Sequence, residues 1–234
     1  MDLFFHNTID LKNPAFVFSD EESRHLSKVL RKQPGDLVAV TDGKGLEVHI
    51  QIQNISSRKT NGHLVETIVH PAPKHQTHIA IAPTKNNVRL EWFLEKATEI
   101  GIHRITPLFC QHSERKVIKH DRLTKILQAA LKQSQQFHLP QLDELISFET
   151  FVAQQKKGYI AHCNTGEKFD LADIAATEKS NCILIGPEGD FSVDEVTFAE
   201  KNNFQSISLG SQRLRTETAA LVACHTLSLI HRNI

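Results

Sequence analysis

Two stretches of the chain set residues that can do chemistry beside turn residues that would hold them at a strand end. The first, ILIGPEGDFSVDE from Ile183 to Glu195, places Glu188 inside a Gly-Pro-Glu-Gly turn. Gly186 and Gly189 permit close backbone approach or positive φ, and Pro187 fixes the turn. The stretch is neither G-x-G-x-x-G nor G-x-x-x-x-G-K-[ST], so it gives no support to a pyrophosphate or triphosphate cradle. It suits a rigid wall against a flat ligand. The second stretch, LGSQRLRTETA from Leu209 to Ala219, sets Arg213, Arg215 and Glu217 just beyond Gly210. Such charges beside a glycine turn are costly to order without a partner. Read singly, the first loop also fits a purely structural turn, and the second a surface salt-bridge cluster.

The elements around these loops follow from pattern. Ser192 and Glu195 form a capping box for a following helix, and Thr216 or Thr218 is placed to cap an Ala-rich one. Strands are expected at 79–82, 105–109, 159–161, 182–185 and 207–209, alternating with helices near 88–100, 122–137, 193–202 and 218–231. That order predicts a largely parallel sheet with helices on both faces. Ligands of open α/β sheets bind at the carboxyl ends of strands, which selects the loops after Ile185 and Leu209. Before Pro71-Ala-Pro73 the pattern is different. Short β-prone segments at 3–6, 15–18, 37–42, 46–55 and 63–69 surround one helix, 22–31, opened by a Ser19–Glu22 capping box and stopped by Pro34-Gly35. The chain therefore reads as a small β-barrel over residues 1–72 and an α/β domain over residues 73–234.

A length of 234 residues with 40% hydrophobic content suffices for one large core or two smaller ones. Cys110, Cys163, Cys182 and Cys224 form no C-x-x-C pair and read as reduced thiols. No signal peptide and no apolar run long enough for a bilayer is evident, so a cytoplasmic location without membrane contact is expected. The net charge of +0 hides an asymmetry: residues 73–132 carry 11 Lys+Arg against 5 Asp+Glu, and residues 133–234 carry 8 against 13. The basic centre could meet a phosphate backbone or be a solvated helix face. His75-x-x-His78 has metal-ligand spacing but no third ligand, and a strand starting at His78 would point the pair apart, so no metal is expected. Trp92 and Phe93 lie in an amphipathic helix and are read as core residues.

Taken together, IGPEGDF, LGSQRLRTETAA, EWFLEKATEIGI and SERKVI resemble the RsmE family of 16S ribosomal RNA uridine N3-methyltransferases in the SPOUT superfamily. The N-terminal RHLSKVLRKQPGDLVAVTDGKG resembles that family's PUA-like RNA-binding barrel. The resemblance spans essentially the whole chain. It implies an α/β methyltransferase domain tied in a trefoil knot, a rare exception to ordinary threading rules. It further implies a homodimer that binds S-adenosylmethionine and methylates N3 of one uridine, position 1498, of 16S rRNA in the 30S subunit.

By the same resemblance the cofactor loops lie at His162–Asn164, Ile185–Gly189 and Leu209–Thr216. Gly186, Gly189 and Gly210 would let backbone approach the cofactor, Ile185, Leu209 and Leu214 would wall the adenine, and His162, Glu188 and Thr216 complete the set. Uridine N3 carries a proton that must be lost before methyl transfer. Arg215, to hold the developing negative charge, and Glu217, as base, are the first catalytic candidates, with Glu188 the alternative base. Arg24, His25, Lys28 and Arg31, with Lys85, Arg89, Arg115 and Lys116, are expected to meet RNA phosphates rather than bases. The chain departs from the family pattern at Asp190, where glycine is usual, at Gln212-Arg213, where Arg-Ile is usual, and at Gln136, where an arginine is missing. Two alternatives stand beside this reading: a related SPOUT enzyme acting on a ribose 2′-oxygen or another base nitrogen, and a catalytically silent RNA-binding or ribosome-assembly protein.

Overall fold

Buried and half-exposed residues alternate through Leu46–Ile52, the period of two that a half-buried strand requires. In the computed structural model, which describes residues 1–174 and 180–232, this segment lies in β4 (Leu46–Asn54). It belongs to a five-stranded sheet with β1 (Leu3–Phe5), β2 (Ala15–Val17), β3 (Leu37–Thr41) and β5 (Asn61–Val69), in the order β1-β3-β4-β5-β2. Val38, Val40, Val48, Ile50 and Ile52 are buried against Phe4, Phe18 and Leu26. Among the described residues no ladder joins the edge strands. They meet instead through rings: Phe4 edge-on to Phe18 at 5.6 Å, and Phe16 to Phe18 at 4.9 Å. The expected barrel is thus a curled sheet with an aromatic seam.

The capping box forms, Glu22 N–H donating to Ser19 Oγ and Ser19 N–H to Glu22 Oε2, but the helix differs from expectation. α1 spans only Asp20–Arg24 and passes into a π turn, His25–Val29, in which Leu30 N–H donates to His25 O at 3.0 Å. The chain leaves it through Arg31 at φ 52, before Pro34 is reached. The wider turn spaces Arg24, His25, Lys28 and Arg31 differently from a regular α-helix, and all four are exposed.

The chain divides into Met1–Ala72 with Leu131–Leu139, and Pro73–Ala130 with Pro140–Ile234. The first unit therefore holds a segment that a boundary at residue 72 assigns elsewhere. Its attachment is local and specific: Gly45 N–H donates to Phe137 O and Leu139 N–H to Gly43 O, both at 2.8 Å. Phe137 also stacks on His70 at 3.8 Å.

The second unit is built on eight strands: β6 (Gln76–Ile81), β7 (Arg104–Phe109), β8 (Gln141–Leu142), β9 (Ile146–Ser147), β10 (Gly158–Ala161), β11 (Phe169–Asp170), β12 (Ser180–Ile185) and β13 (Phe204–Ser208). They run β11-β13-β10-β12-β6-β7-β8, with β9 also on β7, and every pairing is parallel. The helices are α2 (Asn87–Ile100), α3 (His120–Gln133, from Leu131 on part of the first unit), α4 (Phe148–Gln154), α5 (Leu171–Ile174), α6 (Val193–Lys201) and α7 (Thr216–Arg232). One sheet face, including Ala80, Ala82, Cys182 and Leu184, packs on Phe148, Phe151, Val196 and Ala199 of α4 and α6. Ile79, Ile81, Ile183 and Ile185 alternate to the opposite face, where α7 lies on β6 and β12 and α2 lies on α7. Among the described residues no helix is long and apolar enough to cross a membrane.

Two sequence expectations change here. Leu90, Phe93, Leu94 and Ala97 form the buried stripe of α2, and Trp92 lies off it, 42% exposed, one turn beyond exposed Val88. Trp92 is thus not a core residue. α7 starts at Thr216, so neither Thr216 nor Thr218 is its N-cap. Arg215 occupies that position, its carbonyl accepting the Ala219 N–H at 2.7 Å.

β6 begins at Gln76, so His75 lies outside the strand and stacks on His231 at 4.2 Å. His78, buried within the strand, pairs its Nε2 with Thr106 Oγ1 at 2.7 Å. Because Thr106 donates onward to Asp143, which Arg104 holds at 2.7 Å, the hydroxyl must accept the His78 Nε2–H. Burial, with Arg104 adding to it, pushes the His78 pKa down to about 4. An unfolded histidine takes up a proton near its ordinary 6.5 whereas folded His78 does not. Stability should therefore be intact above about pH 6.5 and decline toward pH 4, by about 3 kcal/mol from this group. In His78→Gln that part of the pH dependence of urea unfolding should vanish.

Candidate active site

β10 pairs on one side with β12 and on the other with β13, placing Ala161 opposite both Ile185 and Ile207. The three strands end side by side, and their loops enclose a cavity of about 750 Å³. That volume falls in the range of about 300–1,000 Å³ found for small-molecule sites. Ile185, Ile207, Leu209 and Leu214 supply apolar wall, and His162, Glu188 and Arg215 supply polar groups.

The loop after β12 is rigid for reasons written in its residues. Asp190 N–H closes the turn on Pro187 O at 2.9 Å, and Asp190 itself sits at φ 65. Phe191 then buries against Phe148, ring centroids 5.3 Å apart. The capping box of α6 forms as expected: Glu195 N–H donates to Ser192 Oγ at 3.1 Å and Ser192 N–H to Glu195 Oε2 at 2.8 Å. Glu195 has a second duty not visible in the box, accepting the Gln111 N–H at 2.8 Å from the loop after β7.

Gly186 lines the cavity, and a Cβ there would lie 3.1 Å from the Phe191 ring. Gly189 is the one expected cofactor residue off the cavity lining. Its own Cβ would lie 3.1 Å from His112 Cβ, so close packing between loops explains this glycine. Neither has positive φ; Gly210 does, at φ 117, with open space where a side chain would stand. Glu188 lines the cavity and accepts the Lys85 N–H at 2.9 Å.

His162 lines the cavity from the β10 side, with Nε2 2.9 Å from Ser206 Oγ. Ser206 donates to Glu200 at 2.7 Å, so it accepts from His162 Nε2–H. Burial and then Lys168 lower the ring's pKa, and its Nδ1 is buried without a partner among the described residues. Lys168, unforeseen in the sequence, lines the cavity and donates to His162 O at 2.8 Å. Cys163 lies in the expected His162–Asn164 loop and Asp190 stands out in the sequence only as a departure from the family pattern; neither is marked there as a lining residue, since only the fold brings these loops together.

Thr216 and Arg215 line the cavity, and the Arg215 guanidinium is exposed with no ion pair among the described residues. With arginine at the N-cap, no side chain among the described residues accepts from the first N–H groups of α7, and Glu217 is the one acidic residue of its first turn. Glu217 is not on the lining. It is 7% exposed, 3.7 Å from Arg89 through one oxygen, and its other oxygen is buried without a partner among the described residues.

The basic residues differ in availability. Arg24, Lys28 and Arg31 are exposed and in no ion pair among the described residues. Lys85 pairs with Glu114 at 2.8 Å, and Lys116 lies 5.4 Å from the Phe109 ring centroid. Arg115 spends its guanidinium on the carbonyls of Thr84 and Lys85, at 3.1 and 2.6 Å.

Residues 70–228 match an RNA methyltransferase domain, and residues 18–60 match an RNA methyltransferase PUA domain. The chain is 30% identical to the ribosomal RNA small subunit methyltransferase E of Rickettsia conorii, over 91% of this chain and 88% of that protein. The chain belongs to the ribosomal RNA small subunit methyltransferase E family. The Bacillus subtilis member is 28% identical over 92% of this chain and 90% of its own length. A probable rRNA-methyltransferase from Porphyromonas gingivalis superposes with a TM-score of 0.90 at 36% identity, over 98% of this chain and 99% of that one. A member from Neisseria gonorrhoeae, solved bound to S-adenosyl methionine, gives 0.83 at 25% identity, over 96% and 95% of the two chains.

Glu195 offers a test of how the cavity wall is held. Glu195→Ala removes a cap and strips the Gln111 N–H of its acceptor, and should cost about 2–4 kcal/mol, read as a lower urea midpoint. Glu195→Gln, which can still accept, should lose less than half as much.

Proposed function

We propose that this protein uses S-adenosylmethionine to methylate N3 of one uridine in the 16S rRNA of the small ribosomal subunit, at the cavity formed by the loops of β10, β12 and β13. The observation that carries the reading is the meeting of three loops at one parallel-strand edge, beside the uncapped start of α7, in a chain of this family. The cavity fits such a cofactor: apolar walls for a flat ring and open space over Gly210. When bound, the cofactor supplies an electrophilic methyl group. Ile185, Leu209 and Leu214 would flank its adenine, with His162, Gly186, Gly210 and Thr216 around it.

The protein's part is to make N3 of uridine a nucleophile. Arg215, exposed at the cavity with its guanidinium unpaired, would hold the negative charge that develops as the N3 proton leaves. Glu188, on the lining, is the carboxylate we assign to proton acceptance. Glu217, off the lining and facing Arg89, would anchor the first turn of α7 and so hold Arg215 in place.

Arg24, His25, Lys28 and Arg31 form the proposed phosphate-contacting face of a PUA-like RNA-binding unit. A trefoil knot is supported by the path of the chain: from β13, two places from β12 in the sheet, it returns to pack α7 on β12 and β6. Exposed Val88 and Trp92 on α2 support a homodimer, and the proposed substrate sets the work in the cytoplasm.

Incubating unmethylated small subunits with protein and S-adenosylmethionine, then analysing nucleosides by mass spectrometry, should show 3-methyluridine at one position. No new methylated nucleoside would overturn the reading. Arg215→Ala should lower kcat by about 10²–10³; unchanged turnover in a folded variant would remove Arg215 from the chemistry. Sedimentation of the protein alone should give twice the 26.4 kDa chain mass. The slope of log affinity against log salt should lose about 0.7 in magnitude for each of Arg24→Ala and Lys28→Ala.

A further inference from the structure

We propose that Asp190 is a positioning residue that fixes the spacing between two walls of the cavity; this rests on the cofactor reading above. Its backbone is left-handed, φ 65, a conformation that aspartate tolerates better than most side chains do. In that conformation its acceptors reach three different places. Oδ2 accepts the Cys163 N–H at 2.7 Å, Oδ1 accepts the Phe191 N–H at 2.8 Å, and the carbonyl accepts from His112 Nδ1 at 3.0 Å. Cys163 belongs to the loop after β10, Phe191 to the loop after β12, and His112 to the loop after β7. One residue thereby joins three loops, and it lines the cavity itself.

The carboxylate bond to Cys163 has the length of a charge-assisted bond. A further bond between these two walls, Asn164 Nδ2–H to Phe191 O, is 3.4 Å long, near the limit for any hydrogen bond. The wall after β12 has further support in buried Phe191 and the Ser192–Glu195 box. The wall after β10 has ties of its own at His162, to Ser206 and Lys168, but Cys163 beyond it is exposed. Loss of the Asp190 carboxylate should therefore free the Cys163 side of the cavity while leaving the fold in place.

The test compares Asp190→Gly, which keeps the backbone free to adopt positive φ but removes the staple, with Asp190→Asn, which keeps one acceptor oxygen. S-adenosylmethionine affinity is read by calorimetry, thermal midpoint by scanning calorimetry, and exchange of the Cys163 amide by NMR without cofactor. Asp190→Gly should weaken the cofactor about tenfold and speed Cys163 exchange by a similar factor, with the midpoint within about 4 °C of wild type. Asp190→Asn should recover to within about threefold of wild type in affinity. Equal affinity of wild type and Asp190→Gly would overturn the proposal, as would a loss of affinity tracking a large fall in midpoint. If the wild-type protein fails to bind S-adenosylmethionine, the cofactor reading falls and this role with it. Cys163 exchange would then still report whether the staple exists.

Discussion

The site depends on one constraint, the register of β10 between its two parallel neighbours. Ala161 stands opposite Ile185 on one side and Ile207 on the other, so three strands finish at one level and release three loops into one space. A slip of one residue in any of them would turn its apolar set to the wrong face as well as misplace its loop. The buried isoleucines of β12 and β13 therefore guard the geometry of a cavity that their loops enclose. Core packing and site geometry are here the same requirement.

Much of this was legible in the chain. The period-two strands, the parallel order after residue 73 and both capping boxes follow from local residue types, and local physics suffices to produce them. What was hidden is non-local. The return of Leu131–Leu139 to the first unit leaves no mark on its own composition, and α4, seven residues long, is too short for its periodicity to stand out. Trp92 was misassigned because an amphipathic pattern fixes the angular stripe only approximately, and the core takes Leu90, Phe93, Leu94 and Ala97. At the site, the three loops could be named but not their mutual ties. That Glu195 reaches Gln111, or that Glu217 lies behind the wall, depends on contacts between residues far apart in sequence.

Charge was similarly informative in sum and misleading in detail. The basic excess of residues 73–132 is partly consumed internally: Arg104 by Asp143, Arg122 by Glu91, Lys96 by Glu95 and Glu99, and Arg115 by backbone carbonyls. The less conspicuous Arg24, Lys28 and Arg31 of the first unit make no such ion pairs among the described residues. A cation already paired contributes little to attracting a phosphate, so counting charges along a chain overstates one region and understates another.

The strap formed by Leu131–Leu139 also sets the order in which the protein can be completed during synthesis. Residues 1–72 leave the ribosome first, yet the segment whose carbonyl and amide groups pair with Gly45 and Gly43, and whose ring covers His70, is translated only later. At about 5–20 residues per second that delay lasts roughly 3–12 s. During it the Gly45 N–H and the Gly43 carbonyl of the nascent first unit lack their native partners and are left to water.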